Sequence, residues 1–289
     1  MEVIRTIHEM RKAVKLWKEQ GKTIGFVPTM GYLHEGHQSL MQAAKKQTDI
    51  RVLSIFVNPI QFGPNEDYET YPRDEERDLS IARNEQVDCV FMPSVKEMYP
   101  QPIRTKVQVA EVTDKLCGAS RPGHFDGVST VVSKLFHIIQ PNKAFFGLKD
   151  AQQVAVIEQM AGDLNMDIDI VPCPIVREAD GLALSSRNKY LNAEERKQAV
   201  VLSQSLSALN DWLQERTLTL EQIRNRLTEQ ISKAPLAHID YVEILKYPEL
   251  EPPEEGQMLA QMTGKYIAAL AVKFGATRLI DNHIFTLQP

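Results

Sequence analysis

The 289 residues are 43% hydrophobic and 25% charged, enough apolar material for one large α/β domain or two modest ones without disulfides or metals to hold them. A formal net charge of −5 gives no general attraction to nucleic acid or anionic lipid, and no run approaches the roughly 20 apolar residues that span a membrane, so neither partner is expected. The polar N-terminus, Met1 to Lys15, is unlike a signal peptide, and Cys89, Cys117 and Cys173 are an odd, scattered set read as free thiols, so a cytoplasmic location is expected.

In chain order, Ile7 to Lys18 has helical spacing and stops near Gly21. Ile24 to Thr29 is a short apolar run bounded by Gly and Pro, the pattern of a buried strand. Gly31 to Gly36 is a loop, and Ser39 to Lys46 a helix. Arg51 to Val57 is a second apolar run, closed by Asn58-Pro59. A helix is expected over Asp74 to Glu85, strands at Cys89 to Met92 and around Val107 and Val109, and a helix over Val128 to Ile139. Then come a strand at Ala144 to Phe146, a helix at Ala151 to Leu164 and a strand at Ile168 to Val171. Strands alternating with helices at this spacing predict a parallel sheet with crossover helices. Ligands bind beyond the carboxyl ends of such strands, which places chemistry near Thr29, Val57 and Phe146.

After about Arg187 the texture changes. Ala193 to Glu215 reads as one long helix and Leu220 to Lys233 as another, followed by strands at Ile239 to Leu245, Tyr266 to Val272 and Thr277 to Ile280. A domain boundary is expected within residues 177–190, with 1–180 as the first domain and 181–289 as the second.

Three clusters carry chemistry. Met30-Gly31-Tyr32-Leu33-His34-Glu35-Gly36-His37 lies between a buried strand and a helix. Its glycines permit close backbone approach, the helix start offers free N–H groups to an anion, and His34 and His37, three apart, can share one face as donors. Two surface histidines or a metal pair is the competing reading, and no third ligand is apparent. Gly147-Leu148-Lys149-Asp150 follows a strand and opens a helix: Lys149 suits phosphate, and Asp150 suits a helix cap or a ribose hydroxyl. Leu184-Ser185-Ser186-Arg187 sets two hydroxyls beside a guanidinium able to grip phosphate oxygens in pairs. A capped helix with an exposed lysine and an ordinary serine-rich loop are the plainer alternatives for these two. Gln61, beyond Asn58-Pro59, can project from a strand end with a donor and an acceptor, and Tyr71-Pro72-Arg73 and Arg121 to His124 bring cations near aromatics.

Taken together, PTMGYLHEGH, FVNPIQFGPNEDYETYPR, RPGHFDGVSTVV, FFGLKDAQQ and LSSRN, in this order across residues 24–192, resemble the pantoate–β-alanine ligase (pantothenate synthetase) family of the nucleotidyltransferase superfamily. His34 to His37 is similar to the superfamily's HIGH motif, and Leu184 to Arg187 to a remnant of its KMSKS loop. The resemblance implies a Rossmann-like parallel-sheet domain that binds nucleotide and pantoate, and a smaller α+β C-terminal lid domain. It implies a homodimer, ATP as a substrate with Mg²⁺, and two steps: pantoate and ATP give pantoyl-adenylate, and β-alanine then displaces AMP. Residue by residue, it puts Met30 to His37, Gly147 to Asp150, Val176 and Leu184 to Arg187 at ATP. His34, His37, Lys149 and Arg187 become catalytic, with His37 as proton donor. Gln61 falls to pantoate and β-alanine, Gln153 to pantoate, and Asp78 to magnesium. Asn58, Tyr71, Arg73, Arg121 and His124 are further members of the site. Two positions depart from the pattern: Leu148 stands where Glu is common and Leu184 where Met is common. The competing expectations are a nucleotidyltransferase of the same fold with a nucleotide-linked product, and a nucleotide-binding module without turnover. A tRNA-synthetase-like role is disfavoured by the acidic balance.

Overall fold

A computed structural model describes residues 1–64 and 66–288; Asn65, within the second motif block, and Pro289 lie outside the described residues. The chain separates into two compact units, one of residues 1–148 and 156–174, the other of residues 149–155 and 175–289.

The first unit is a six-stranded parallel sheet. Its strands are β1 (Glu2–Ile4), β2 (Ile24–Thr29), β3 (Ile50–Ile55), β4 (Cys89–Phe91), β5 (Lys143–Gly147) and β6 (Asp169–Cys173), in the order β1-β4-β3-β2-β5-β6. The chain winds outward from β2 through β3 and β4, then returns to the other side of β2 with β5. The order therefore reverses at β2, and the crevice beyond the carboxyl ends at such a reversal is where α/β sheets bind ligands. Parallel strands covered on both faces read as unbroken apolar runs. Phe26, Val27, Val52, Leu53, Val90, Phe91, Phe145 and Phe146 are accordingly all buried.

Helix starts follow local side-chain chemistry. α1 (Ile7–Glu19) is capped by Thr6, whose hydroxyl accepts the Glu9 amide at 3.2 Å, and it buries Met10 and Val14, one turn apart. α2 (Glu35–Gln47) has His34 as its cap. α3 (Glu75–Asn84) is capped by Asp74. Two short turns, α4 (Val95–Met98) and α5 (Cys117–Ser120), precede α6 (His124–Ile139), which is apolar nearly all round and buried to match. α7 (Ala151–Asp163) follows β5. The strand expected at Val107 and Val109 does not form. Among the described residues, 101–110 pair with no strand; instead the Val107 amide donates to the Thr130 hydroxyl at 3.0 Å and Val109 is buried alone.

In the second unit, α8 (Ala193–Ala199), α9 (Val201–Trp212) and α10 (Leu220–Ile231) lead into an antiparallel sheet of β7 (Ala237–Lys246), β8 (Gly264–Phe274) and β9 (Thr277–Leu287). The long helix expected over 193–215 is interrupted only at Val200, which keeps right-handed helical dihedrals, and it ends at Trp212. Leu202, Leu206 and Leu209 of α9 and Ile223, Leu227 and Ile231 of α10 pack with Ala268, Leu270 and Val272 into one apolar core. Ile267, Ala269 and Ala271, on the other face of β8, are buried as well.

Candidate active site

The ends of β2 and β3 lie side by side, and the segment beyond each strand is built from tight local bonds. Thr29 closes β2 and donates its hydroxyl to the Ser54 carbonyl of β3 at 2.7 Å, while accepting the Gly31 amide at 3.2 Å. Gly31 and Tyr32 then take left-handed backbones, with φ of 87° and 51°. A Cβ on Gly31 would lie 2.9 Å from Ile55 Cγ2 and 3.0 Å from Asp78 Oδ2, so the turn has room only for glycine. This reversal aims two successive amides at one carboxylate: Tyr32 N donates to Asp78 Oδ2 at 2.7 Å and Leu33 N to Oδ1 at 2.8 Å. Asp78 is 1% exposed. Burial pushes its carboxyl above the usual aspartate value, only partly opposed by the Leu33 and Tyr32 amides and Arg77. The residue assigned to magnesium from the sequence thus sits beneath the loop with both oxygens engaged by backbone.

The loop delivers the two histidines at the start of α2. His34 Nδ1 accepts the Gly36 amide at 3.2 Å, and His37 Nδ1 accepts the His34 amide at 3.3 Å, a reciprocal cap made from two imidazoles. The rings lie 4.1 Å apart. An Nδ1 that accepts leaves the proton of a neutral ring on Nε2, so both rings carry Nε2–H donors beside a helix N-terminus. The sequence expectation that the pair shares one face is met.

Beyond β3, Asn58 and Gln61 are 1% and 9% exposed. Asn58 Nδ2 donates to Gln61 Oε1 at 3.0 Å and to the Gly127 carbonyl at 3.2 Å, and Gln61 Nε2 reaches Met30 Sδ at 3.3 Å. Met30, Asn58 and Gln61 therefore form one cluster. His124 joins it through the Gln61 backbone, and Arg121 through the His124 ring. Arg121 grips Glu66 with Nε and Nη2, each at 2.6 Å, and its Nη1 lies 3.0 Å from His124 Nε2. His124 Nδ1 donates to the Gln61 carbonyl at 2.8 Å. The Arg121 hydrogen bond holds the Glu66 carboxyl below its usual range. Arg73 donates to the carbonyls of Tyr68 and Tyr71, and Tyr71 is buried. Gly147 ends β5, the strand on the other side of β2, and Leu148 comes directly after it.

The remaining expected residues belong to the second unit. Lys149 Nζ lies 3.5 Å from Asp150 Oδ2, and Asn282 Nδ2 donates to the Lys149 carbonyl at 3.0 Å. Gln152 is buried and Gln153 half-buried at the start of α7. Val176 accepts the Leu184 amide at 3.0 Å, and Ser185 caps the turn 186–190 by accepting the Arg187 amide at 3.3 Å. The loop 177–188 is braced from behind. Arg177 meets buried Asp281 at 2.6 and 3.0 Å, and Asn188 donates to Glu178 at 2.7 Å and to the Ala183 carbonyl at 3.0 Å. Arg196 holds Glu178 at 2.7 Å and Asp180 at 2.7 Å.

A family model for pantoate–β-alanine ligase matches residues 2–284. A pantothenate synthetase of Caldicellulosiruptor saccharolyticus is 56% identical over 282 residues, 98% of either chain. The solved pantothenate synthetase of Thermus thermophilus superposes with a TM-score of 0.90 at 41% identity over the full length of both. The chain belongs to the pantoate–β-alanine ligase family. A third relative, the pantoate–β-alanine ligase of Francisella tularensis solved with β-γ ATP and β-alanine, has a TM-score of 0.77 at 35% identity and covers 98% of this chain and 97% of its own.

The pantoate–β-alanine ligase match extends through the C-terminal third, where the sequence motifs run out. Four residues of the site's surroundings escaped the sequence reading. Gly127 and Glu66 sit inside recognised blocks; a glycine within an apolar helical run is itself a signal of close approach. Tyr99 and Asp281 carry no local pattern, because their partners are 41 and 104 residues away.

Proposed function

We propose that this chain joins pantoate to β-alanine by way of an acyl-adenylate made from ATP. A pantoate carboxylate oxygen bonds to the α-phosphorus as the bond to pyrophosphate breaks. The β-alanine nitrogen then bonds to the acyl carbon, AMP leaves with the carbon–oxygen electron pair, and the amine gives up a proton. No protein nucleophile is needed, because the substrate's own carboxylate attacks. The observation that carries the reading is the imidazole pair: two donors with fixed tautomers, at a helix N-terminus, at the point where the strand order reverses.

In this reading the loop Met30 to His37 lines the ATP site, His34 and His37 donate to phosphate oxygens, and His37 is the proton donor. Gln61 contacts pantoate and β-alanine, and Gln153 binds pantoate. Lys149 and Arg187 bring cationic charge to the triphosphate, with Gly147, Leu148, Asp150, Val176, Leu184, Ser185 and Ser186 completing the nucleotide's contacts. Leu148 and Leu184, which depart from the family pattern, serve by backbone and apolar packing. Asn58, Arg121 and His124 fix Gln61. Residues 1–180 form the nucleotide- and pantoate-binding domain and residues 181–289 the lid.

Magnesium enters as part of the MgATP substrate. Mg²⁺ is usually held by one or two carboxylates with substrate phosphates and water. Among the described residues no three His, Cys, Asp or Glu cluster as a metal cage. Asp78, which matches a magnesium-linked carboxylate of the family, is the residue assigned to the metal, and its two oxygens already accept the Tyr32 and Leu33 amides. Among the described residues no helix is long and apolar enough to cross a membrane. A cytoplasmic homodimer completes the reading, to be checked by light scattering of the purified chain.

Isotope exchange tests the chemistry. Labelled pyrophosphate should enter ATP only when pantoate is present, and AMP should accumulate only when β-alanine is added. Exchange without any hydroxy acid, or a product that retains the nucleotide, would count against the ligase reading.

A further inference from the structure

Gln61 can present either end of its amide to a substrate, and the two ends have opposite hydrogen-bonding character. The structure settles the choice through neighbours that have none. The Gly127 carbonyl can only accept, so it turns Asn58 to offer Nδ2 at 3.2 Å. The second Nδ2 hydrogen goes to Gln61 at 3.0 Å, which must then offer Oε1, leaving Nε2 on the side of Met30 Sδ. The remaining atom of the Asn58 amide, Oδ1, faces the Tyr99 hydroxyl at 2.8 Å.

We infer that Tyr99 is a positioning residue for substrate recognition: its hydroxyl, acting through Asn58, holds the Gln61 amide with its NH₂ group toward the hydroxy acid. The inference rests on the ligase reading for the identity and the place of that substrate; the orientation of the amide rests on the geometry alone. The Tyr99 ring is itself held. It packs 6.1 Å from the Phe56 ring, Lys134 Nζ lies 5.2 Å from its face, and its own amide donates to the Val95 carbonyl at 2.7 Å. Burial raises the phenol well above its usual range, so the group stays an O–H donor. A carboxylate or hydroxyl oxygen of the substrate is then met by a donor, and a substrate offering a donor at that point is rejected.

The test is Tyr99→Phe, which removes one oxygen and leaves the ring. Stripping a buried acceptor of its donor is worth roughly a tenfold change in an equilibrium. The KM for pantoate in pyrophosphate exchange should rise about tenfold, with the KM for ATP unchanged. In an Asn58→Ala background the same substitution should add nothing, since Tyr99 acts through Asn58. An unchanged pantoate KM, an equal rise for ATP, or a full effect repeated in the Asn58→Ala background would each overturn the proposal. Should Tyr99→Phe not fold, Asn58→Asp interrogates the relay from within: Tyr99 keeps its acceptor, Gln61 loses its donor, and pantoate KM must rise selectively. A wild-type protein without pantoate-dependent exchange would sink the ligase reading instead. The relay is then judged by the side-chain amide NMR signal of Gln61, assigned with Gln61→Glu: it should move in Tyr99→Phe, and a fixed signal rules the relay out.

Discussion

Substituting Gly127 by alanine probes how α6 places Gln61. The added Cβ would lie 2.4 Å from the Ile60 carbonyl oxygen, 2.5 Å from Gln61 Cα and 2.7 Å from Gln61 N. All three are backbone atoms, so no side-chain rotation relieves the contact. Restoring an ordinary separation near 3.5 Å requires a displacement of about 1 Å. Two effects oppose each other. Alanine favours the helix over glycine by about 0.5–1 kcal/mol, whereas forcing a methyl into a packed site costs about 1–3 kcal/mol. The clash wins because backbone must move, giving a net loss of about 1–2 kcal/mol and a Tm lower by roughly 2–8 °C. The displacement also stretches the bond from Asn58 to the Gly127 carbonyl and moves Gln61. A misplacement of about 1 Å at a substrate-positioning group can cost on the order of 100-fold in rate. Steady-state assays varying pantoate and ATP separately, with a thermal melt, should show a loss in kcat/KM for pantoate far larger than the loss in stability explains. Wild-type kinetics with a lowered Tm would show that Gln61 is not where the reaction depends on it, and an unchanged Tm would refute the packing argument itself.

Asp78→Asn keeps the shape but turns one oxygen into a donor facing the Tyr32 or Leu33 amide, a loss of about 1–3 kcal/mol that calorimetry should detect, with a raised KM for ATP as the loop loosens. Because burial raises the Asp78 carboxyl, the native state binds its proton more tightly than the unfolded chain does. Its contribution to stability therefore falls as pH rises from the ordinary aspartate value of 3.8 through the raised native value, and Asp78→Asn should remove that slope from a pH series of melts. Arg177→Ala leaves Asp281, which is 2% exposed, without its guanidinium and with the Asn282 amide at 2.8 Å, and should cost about 3 kcal/mol, the low end for a buried pair because Arg177 is partly solvated; a denaturant midpoint within error of wild type would contradict it. His283 is pushed below the usual histidine value of 6.5, chiefly by burial and then by Arg177. The unfolded chain then binds more protons, so stability is full above pH 6.5 and falls as pH drops through the lowered native value; His283→Gln should flatten that limb of the stability profile.

What the sequence disclosed and what it withheld divide along contact distance. The parallel sheet was legible because β2, β3 and β5 are mainly apolar runs closed by Pro, Asn or Gly, as burial on both faces favours. The imidazole cluster was legible because its logic is local: strand end, glycine turn, helix start within ten residues. Val107 and Val109 misled because alternation reports which side chains are buried, not whether a neighbouring strand exists to bond with. Asp78 is assigned to magnesium by the family resemblance alone; the fold adds that its oxygens accept amides 45 and 46 residues away, which no local pattern could show. Arg121 and His124 are members of the site by the family resemblance. The fold ties both to protein, Arg121 to Glu66 and His124 to the Gln61 carbonyl, so their proposed effect on substrate runs through the backbone of Gln61.

The same division explains why so few groups in the first unit are left to choose their own orientation. Two anions approaching to ~4 Å repel by about 4 kcal/mol at an effective dielectric of 20. Donors that must first reorient would forfeit much of what they contribute against that repulsion, whereas donors already aimed act without reorganisation. In this chain the aiming is done by backbone. The Gly36 and His34 amides fix the tautomers of His34 and His37, the Gly127 carbonyl fixes Asn58, and the Tyr32 and Leu33 amides lock the preceding turn to Asp78. Backbone groups at a sheet rim cannot be lost by substitution, so the most damaging changes are those that move backbone. That ranks Gly31 and Gly127, which carry no functional group, beside the histidines: a methyl at either position meets a neighbour at 3.0 Å or less and displaces a donor on which the proposed reaction relies.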